Sequence, residues 1–395
     1  MHLKLYVNYI EQKKKLYFFK VNYSYGKSEQ MSCIAGGLVV CCIYCYAFYY
    51  GPFIKCYDIR VKKEVEEMLI SRTPFRISFF GGGTDYYDYF SEYGGCVLST
   101  TIDKYCYTTI RNLPPFFEYK NQFTYSKIER FDNPEELQHP LVRAALKYIS
   151  TDRIQIAYDA DLPACSGIGS SSAFSVGLLQ GLHALRGEFP DKLSIAKEAI
   201  YLEREMCGEA GGVQDQIAAA VGGFNRLSFD SDGFKVCPVQ ISDVTKRRLE
   251  DNLLLIFTGF TRFSGEIAAA QQRNIRSTIS QLNEMKSLVY DAERLLSEGR
   301  LTDFGRMLDH TWKLKKNLSS SISNSEIDDI YERAKENGAL GGKLLGAGGG
   351  GFMLLYVPEE QQTRFKKSVE GLKYIPFKFE NTGTKIIYND GKVNA

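Results

Sequence analysis

The sequence predicts an α+β protein, and three observations carry that prediction. Strand-like segments open and close the body of the chain while helical segments fill its middle. Strand and helix never settle into the regular βαβ alternation of a doubly wound sheet. The strands are entered or left through glycine-rich loops. In order, residues 69–80 are rich in β-formers and stop at Gly81-Gly82-Gly83, and residues 96–110 resume with alternating β-branched positions. Residues 141–149 suit a short helix, and 153–158 alternate as a strand. Beyond a loop at 163–169, Phe174, Leu178, Leu182 and Leu185 recur at helical spacing, the stripe of a buried helix. Residues 194–207 and 213–221 continue as helices, and 253–257 form an apolar strand. A long helical stretch covers about 265–297, with further helices at 301–318 and 325–337, before the chain returns to β structure at 352–357. No repeat or low-complexity segment interrupts this order.

Composition narrows the function. The 395 residues suffice for one or two domains. Lysine and arginine number 49 against 47 acidic residues, so no large basic field exists to capture nucleic acid or an anionic membrane, and small-molecule partners and a cytoplasmic location are expected. The ten cysteines do not read as a disulfide framework, and the lone C-x-x-C of Cys42 and Cys45 lacks the βαβ context or second ligand pair of a redox or zinc site. Residues 1–67 differ in texture, being rich in Tyr, Lys and Cys, with an uncharged run at 31–54. That run could span a bilayer, but its glycines, proline and tyrosines weaken its apolar drive, and it is poorly placed for a signal peptide. Three readings stay open for this extension: translated upstream sequence ahead of a true start at Met68, a membrane anchor, or a soluble segment.

The chemistry lies in three glycine clusters, at 81–83, 165–169 and 346–351. The middle one joins a strand to a helix and runs Pro163-Ala164-Cys165-Ser166-Gly167-Ile168-Gly169-Ser170-Ser171-Ser172, gathering backbone N–H groups and hydroxyls at a positive helix terminus. It reads as a phosphate cradle; a plain helix cap needs one serine, not three behind paired glycines. Gly342-Lys343 is followed by Leu344, which excludes a Walker A loop, and the G-x-G-x-x-G of Gly346, Gly348 and Gly351 leads into a strand, which excludes the dinucleotide fingerprint. With four histidines and no H-E-x-x-H, zinc-peptidase chemistry is unsupported. Phosphoryl transfer needs a phosphate cradle, a carboxylate for Mg²⁺ and a group facing the acceptor. Glu203 and Asp215, on helices after the serine loop, offer the carboxylates, though on residue type alone each also suits a solvated helix charge.

Three ordered motifs carry a family resemblance across about residues 69–395. Residues 163–173 resemble the second motif of the galactokinase, homoserine kinase, mevalonate kinase and phosphomevalonate kinase (GHMP) superfamily; Thr73-Pro74-Phe75-Arg76 through Gly81-Gly82-Gly83-Thr84-Asp85-Tyr86 resemble the first, and residues 343–352 the third. The resemblance implies a two-domain GHMP kinase fold, with an N-terminal domain like domain 2 of ribosomal protein S5 over 68–245 and a ferredoxin-like C-terminal domain over 246–395. It implies ATP bound by Pro163, Ser166, Gly167, Gly169, Ser170, Ser171 and Ser172, and Mg²⁺ on Ser171 and Glu203. Asp215 then faces the acceptor hydroxyl and Arg76 pairs with it, balancing charge as phosphate moves. Gly82, Gly83, Thr84 and Asp85 correspond to the sugar-gripping segment. Two departures stand out: Gly81-Gly82-Gly83 replaces the Gly-Glu-His of galactokinase, and Cys165 replaces the glycine usual in the second motif. The finer likeness, including Leu98-Ser99-Thr100-Thr101-Ile102-Asp103-Lys104-Tyr105, is to D-glycero-α-D-manno-heptose 7-phosphate kinases, which phosphorylate the anomeric hydroxyl. A 7-phosphate needs a second anion site, for which Arg72, Arg262 and Lys343 are candidates by charge and loop position, each equally suited to an ordinary structural charge. A free-sugar kinase such as a fucose kinase, and a non-catalytic sugar-binding relative, are the alternatives.

Every motif lies beyond Met68, so a chain starting there should fold and retain full activity. Loss of either, measured by circular dichroism and a coupled kinase assay, would make residues 1–67 an integral part of the enzyme.

Overall fold

The structure, a computed structural model, describes residues 68–261 and 264–390. The run at 31–54, the Cys42 and Cys45 pair and Arg262 lie outside them, and among the described residues no helix is long and apolar enough to cross a membrane. The strands are β1 (Met68–Phe80), β2 (Gly95–Asn112), β3 (Asn121–Thr124), β4 (Ile128–Phe131), β5 (Ile154–Ala160), β6 (Phe224–Asp230), β7 (Gly233–Pro238), β8 (Leu253–Phe257), β9 (Gly341–Leu344), β10 (Phe352–Tyr356), β11 (Lys373–Ile375), β12 (Phe379–Glu380) and β13 (Lys385–Asn389). The α-helices are α1 (Tyr87–Tyr93), α2 (Pro140–Tyr148), α3 (Ser170–Leu185), α4 (Lys192–Tyr201), α5 (Gln214–Val221), α6 (Asp243–Asn252), α7 (Ser264–Asn274), α8 (Ile279–Ser297), α9 (Leu301–Lys316), α10 (Ser325–Glu336) and α11 (Gln362–Ser368).

Two sheets organise these elements. The first takes the order β13-β1-β2-β5-β3-β4, with β6 and β12 also on β2 and β7 on β6. The 18 residues of β2 make this possible. One edge pairs antiparallel with β1 from Met68 opposite Arg111 to Phe80 opposite Leu98. Its other edge is shared by β6 at 95–100, β12 at 101–102 and β5 at 106–112. The second sheet, β11-β8-β10-β9, is antiparallel throughout. The change of sheet falls between β7 and β8, and β12 and β13 carry the chain back to the first sheet.

Packing explains the central helix. α3 is buried nearly all round, including Phe174, Leu178 and Leu182 of the expected stripe. It lies close on β1 and β2 because two of its residues lack side chains: a Cβ on Gly177 would stand 2.7 Å from Thr73 Oγ1, and one on Gly181 2.7 Å from Ile110 Cδ1. The helix expected over 265–297 is broken instead by a 3₁₀ turn at Ile275–Ser277. There the hydroxyls of Ser277 and Thr278 bond back to the Asn274 carbonyl at 2.8 and 2.9 Å, and the Asn274 amide donates to Leu318 O, so side chains compete with the helical ladder.

Two buried lysines tie the sheets to each other and to the third glycine loop. Lys343 stands in β9 of the second sheet, and its Nζ donates to Phe79 O in β1 of the first at 2.9 Å. The sequence placed Lys343 on a loop and offered it as a distal anion site; the structure corrects the position, because its side chain points inward and is engaged by backbone. Lys315 on α9 donates to Leu344 O at 2.8 Å and Gly346 O at 2.5 Å. Burial, reinforced by Arg76, pushes the Lys343 amino group down to about 7. Burial, with Lys343 and Arg76 nearby, lowers Lys315 well below the ordinary lysine range.

An unfolded lysine keeps its proton to about pH 10, so between about pH 7 and 10 the unfolded chain binds more protons than the folded one and stability rises with pH. Urea unfolding at about pH 6.5 and 9 should therefore show the wild type gaining stability relative to Lys343→Met across that window. The same change in both proteins would mean that Lys343 is not held in its unprotonated direction by the fold.

Candidate functional site

The second glycine loop meets the third, backbone against backbone. A Cβ on Gly346 would lie 2.4 Å from Gly167 Cα, one on Gly167 2.5 Å from Leu345 O, and one on Gly351 2.3 Å from Ser166 O. Phe352 N–H donates to Ser166 O at 3.0 Å, and Ser166 Oγ donates to Pro163 O at 2.6 Å. Gly169 caps α3 in the left-handed region, φ 75°, with no side-chain acceptor, so the N–H groups of the first turn stay uncapped. Ser171 is exposed on that turn, whereas Ser170 and Ser172 point inward. The result is a backbone concavity at a helix N-terminus, suited to an anionic phosphate chain. Cys165 sits in the left-handed region as well, φ 56°, which explains physically why glycine suits this position and shows that the loop keeps its shape with a cysteine there.

Arg76 and Asp215 meet at the mouth of this cradle. Arg76 Nε and Nη2 donate to Asp215 Oδ1 and Oδ2, each at 2.7 Å, while Nη1 donates to Gly167 O at 2.6 Å. The Arg76 N–H also reaches Ile168 O at 3.1 Å. The guanidinium is buried, whereas the Asp215 side chain keeps 22% exposure, so a reacting group could approach the carboxylate from the open side. Asp215 lies in the first turn of α5, next to Gly169, whose Cβ would stand 3.3 Å from Asp215 Oδ2.

The first glycine loop is built from inside. Thr84 is fully buried, its hydroxyl 2.8 Å from Gly81 O and 2.9 Å from Cys96 O. Asp85, buried too, accepts from Gly83 N–H at 2.9 Å and from Gln214 N–H at 3.3 Å, so it caps α5. Burial, and then Asp215, raise its carboxyl above the ordinary range. Both residues spend their polar groups on the loop and on α5, leaving Gly82 and Gly83 as its open part.

Glu203 is the second carboxylate. It lies in a π-helical turn, Leu202–Met206, that follows α4, a local widening that frequently marks functional positions. Its Oε2 accepts from Ser172 Oγ at 3.0 Å and Gln216 Nε2 at 2.8 Å, with Arg204 at 3.6 Å. The structure thus brings Glu203 to Ser172, the residue after the expected Ser171. Burial pushes its carboxyl up to about 7, and its Oε1 is buried without a partner. A hard cation would satisfy that oxygen, and carboxylate and hydroxyl donors suit Mg²⁺, so the residues fit the ion.

Two of the distal cations fall among the described residues. Arg72 stacks 4.2 Å above the Tyr105 ring and lies 4.0 Å from Glu380, and Lys343 is buried as described. Sequence reasoning missed Gln214 and Gln216, whose only signal was their place on either side of Asp215, Ser78, which lies within the first motif, and Lys315, which carries no motif.

Comparisons with known proteins bear on the family and the fold. The family model described as GHMP kinases N terminal domain matches residues 140–223, and that described as GHMP kinases C terminal matches 292–371. The chain is 31% identical to the D-glycero-alpha-D-manno-heptose 7-phosphate kinase of Campylobacter jejuni over 337 residues, 80% of this chain and 97% of that one. It is 26% identical to the bifunctional fucokinase/GDP-fucose pyrophosphorylase of Arabidopsis thaliana, over 74% of this chain and only 30% of that enzyme's length. Among solved structures, a D-glycero-D-manno-heptose 1-phosphate kinase from Bacteroides thetaiotaomicron superposes with TM-score 0.67 at 24% identity, covering 81% of this chain and 99% of that one. A Lactococcus lactis galactokinase complexed with galactose gives 0.64 at 18%, covering 80% and 95%. The last two likenesses speak to the fold; with the family models and the first relative, they establish that this chain belongs to the GHMP kinase family and is a phosphotransferase.

Proposed function

We propose that the protein transfers the γ-phosphate of ATP to the anomeric hydroxyl of D-glycero-α-D-manno-heptose 7-phosphate, giving the 1,7-bisphosphate. The observation that carries the reaction is the Asp215 carboxylate, gripped at both oxygens by Arg76 beside an uncapped helix terminus and open on one side. The sugar rests on the relative that matches over 97% of its length.

In this reading the triphosphate lies along the loop at 163–169, where the N–H groups of Ser170, Ser171 and Ser172 face its oxygens. Ser171 and Glu203, the latter through its unpartnered Oε1, would hold Mg²⁺, which would supply neutralisation of the phosphate charge. Asp215 orients the acceptor hydroxyl and takes its proton as the hydroxyl oxygen bonds to the γ-phosphorus. The bond from that phosphorus to the bridging oxygen breaks, and its electron pair leaves with ADP. Arg76 holds the carboxylate at the mouth of the cradle and sets a fixed positive charge beside the moving phosphoryl group. Because the same guanidinium binds Gly167 O, the base and the cradle keep one spacing.

Asp215→Asn should leave the fold and ATP binding largely intact and lower kcat by about a hundredfold or more, the scale of a lost general base. Near-normal turnover of that variant would remove Asp215 from the acceptor side.

The second expectation concerns the acceptor. A distal phosphate paired with arginine adds charge-assisted bonds worth about 1.5–3 kcal/mol each, so the free heptose should lose about tenfold or more in kcat/KM per missing contact. A coupled assay over heptose 7-phosphate, free heptose, fucose and galactose reads this directly. Equal turnover of a free sugar would replace the heptose phosphate with that sugar and leave the kinase reaction standing.

A further inference from the structure

Backbone geometry accounts for two of the three glycines in the first loop. Gly81 has φ 80°, and a Cβ there would lie 1.9 Å from Cys96 O; Gly83 has φ 101°. Gly82 has neither constraint. Its φ is not left-handed, and a Cβ would meet only Ser78 Oγ at 3.6 Å and Gln214 Nε2 at 3.8 Å, both ordinary contacts. The fold itself does not require a glycine at 82, yet one leaves open space directly over those two side chains.

Both side chains have unmet hydrogen bonds. Ser78 Oγ and Gln214 Oε1 are buried and lack any partner, in residues 5% and 9% exposed. A folded protein rarely leaves such atoms unpaired, because each costs the full desolvation of the group. The two come from different elements, β1 and the first turn of α5, and Gln214 immediately precedes Asp215. Gln214 thus ties this pair to the residue that bears the open carboxylate.

We infer that Ser78 and Gln214, with the space over Gly82, form a subsite that reads neutral hydroxyls of the acceptor next to the one that reacts. This rests on the reading that the acceptor hydroxyl faces Asp215. The chemistry selects a hydroxyl over a phosphate. Gln214 faces Gly82 with Nε2, a donor, while its unpartnered Oε1 can only accept; hydroxyls, which both donate and accept, can meet both ends, whereas a phosphate dianion, with acceptors only, leaves Oε1 unmet. The distal phosphate of a sugar phosphate consequently lies outside this recess.

The test uses the full chain with ATP and heptose 7-phosphate, or whichever sugar of the acceptor panel it turns over best. Ser78→Ala and Gln214→Leu should each lower kcat/KM for the acceptor about three- to tenfold, mainly through KM, with KM for ATP unchanged. Ser78→Ala should leave the thermal midpoint unchanged or raise it, since the hydroxyl has no partner in the fold. Gly82→Ala, free of backbone strain, should fold and lose acceptor kcat/KM by at least as much. Unchanged acceptor kinetics in Ser78→Ala and Gln214→Leu would overturn the subsite while an inactive Asp215→Asn kept the kinase reading. A fall in thermal midpoint for Ser78→Ala, or an equal loss for ATP, would give the hydroxyl a structural role and overturn it too. Active Asp215→Asn would instead remove the reading beneath it.

Discussion

Arg76 spends its whole fork inside the protein, two nitrogens on the Asp215 carboxylate and the third on the carbonyl of Gly167. Three elements far apart in the chain, the first strand, the second glycine loop and α5, therefore meet at one planar group. Lysine could not do this, because a point charge on a flexible stem cannot fix two carboxylate oxygens and a carbonyl in one plane. A buried ion pair is a weak source of net stability, and an apolar replacement of both partners is often tolerated, while removal of one alone costs about 3–5 kcal/mol. What the pair provides is placement. Asp215 cannot drift from the cradle without breaking the hydrogen bonds that hold the cradle's own backbone.

The same economy appears where the glycine loops touch. Gly167, Gly346 and Gly351 bring main chain within a distance that no side chain permits, and Lys315 clamps the far side of that contact by holding Leu344 O and Gly346 O. The concavity is thus shaped before any ligand arrives, which is the condition for electrostatic stabilisation without reorganisation. Its one deviation, a cysteine at φ 56°, costs about 1–2 kcal/mol relative to glycine and is borne by the surrounding contacts.

Much of this was legible in the chain. Residues 253–257 form the expected strand to the residue, and β1, β2, α2, α3, α9 and α10 fall within two residues of expectation, because long alternating or helical stripes are robust to context. Short strands such as β3, β4 and β12 were not, since two to four residues of ordinary polarity become strands only when a neighbour, β5 for β3, β3 for β4 and β2 for β12, supplies the ladder. The Arg76 and Asp215 pairing followed from motif correspondence and appears with bidentate geometry. The inward turn of Lys343, the capping role of Asp85 and the choice of Ser172 over Ser171 by Glu203 were invisible, because each depends on which way one residue of a strand or helix faces. Sequence spacing names neighbours along an element; it does not say which atoms are already spent.

The return of the last strands to the first sheet bears on how the enzyme is made. β13 pairs with β1 across more than three hundred residues, Leu69 opposite Asn389. In the same stretch Thr384 N–H bonds to Ala219 O, and Gly223 N–H to Glu380 O, fastening the far end of the helix that bears Asp215. During synthesis the amino-terminal sheet must wait, with one edge unpaired, until nearly the whole polypeptide has left the ribosome. The two halves therefore cannot mature one after the other as independent beads. A fragment that carries all three glycine loops but lacks β12 and β13 would therefore lack the contacts that fasten the end of the helix bearing Asp215.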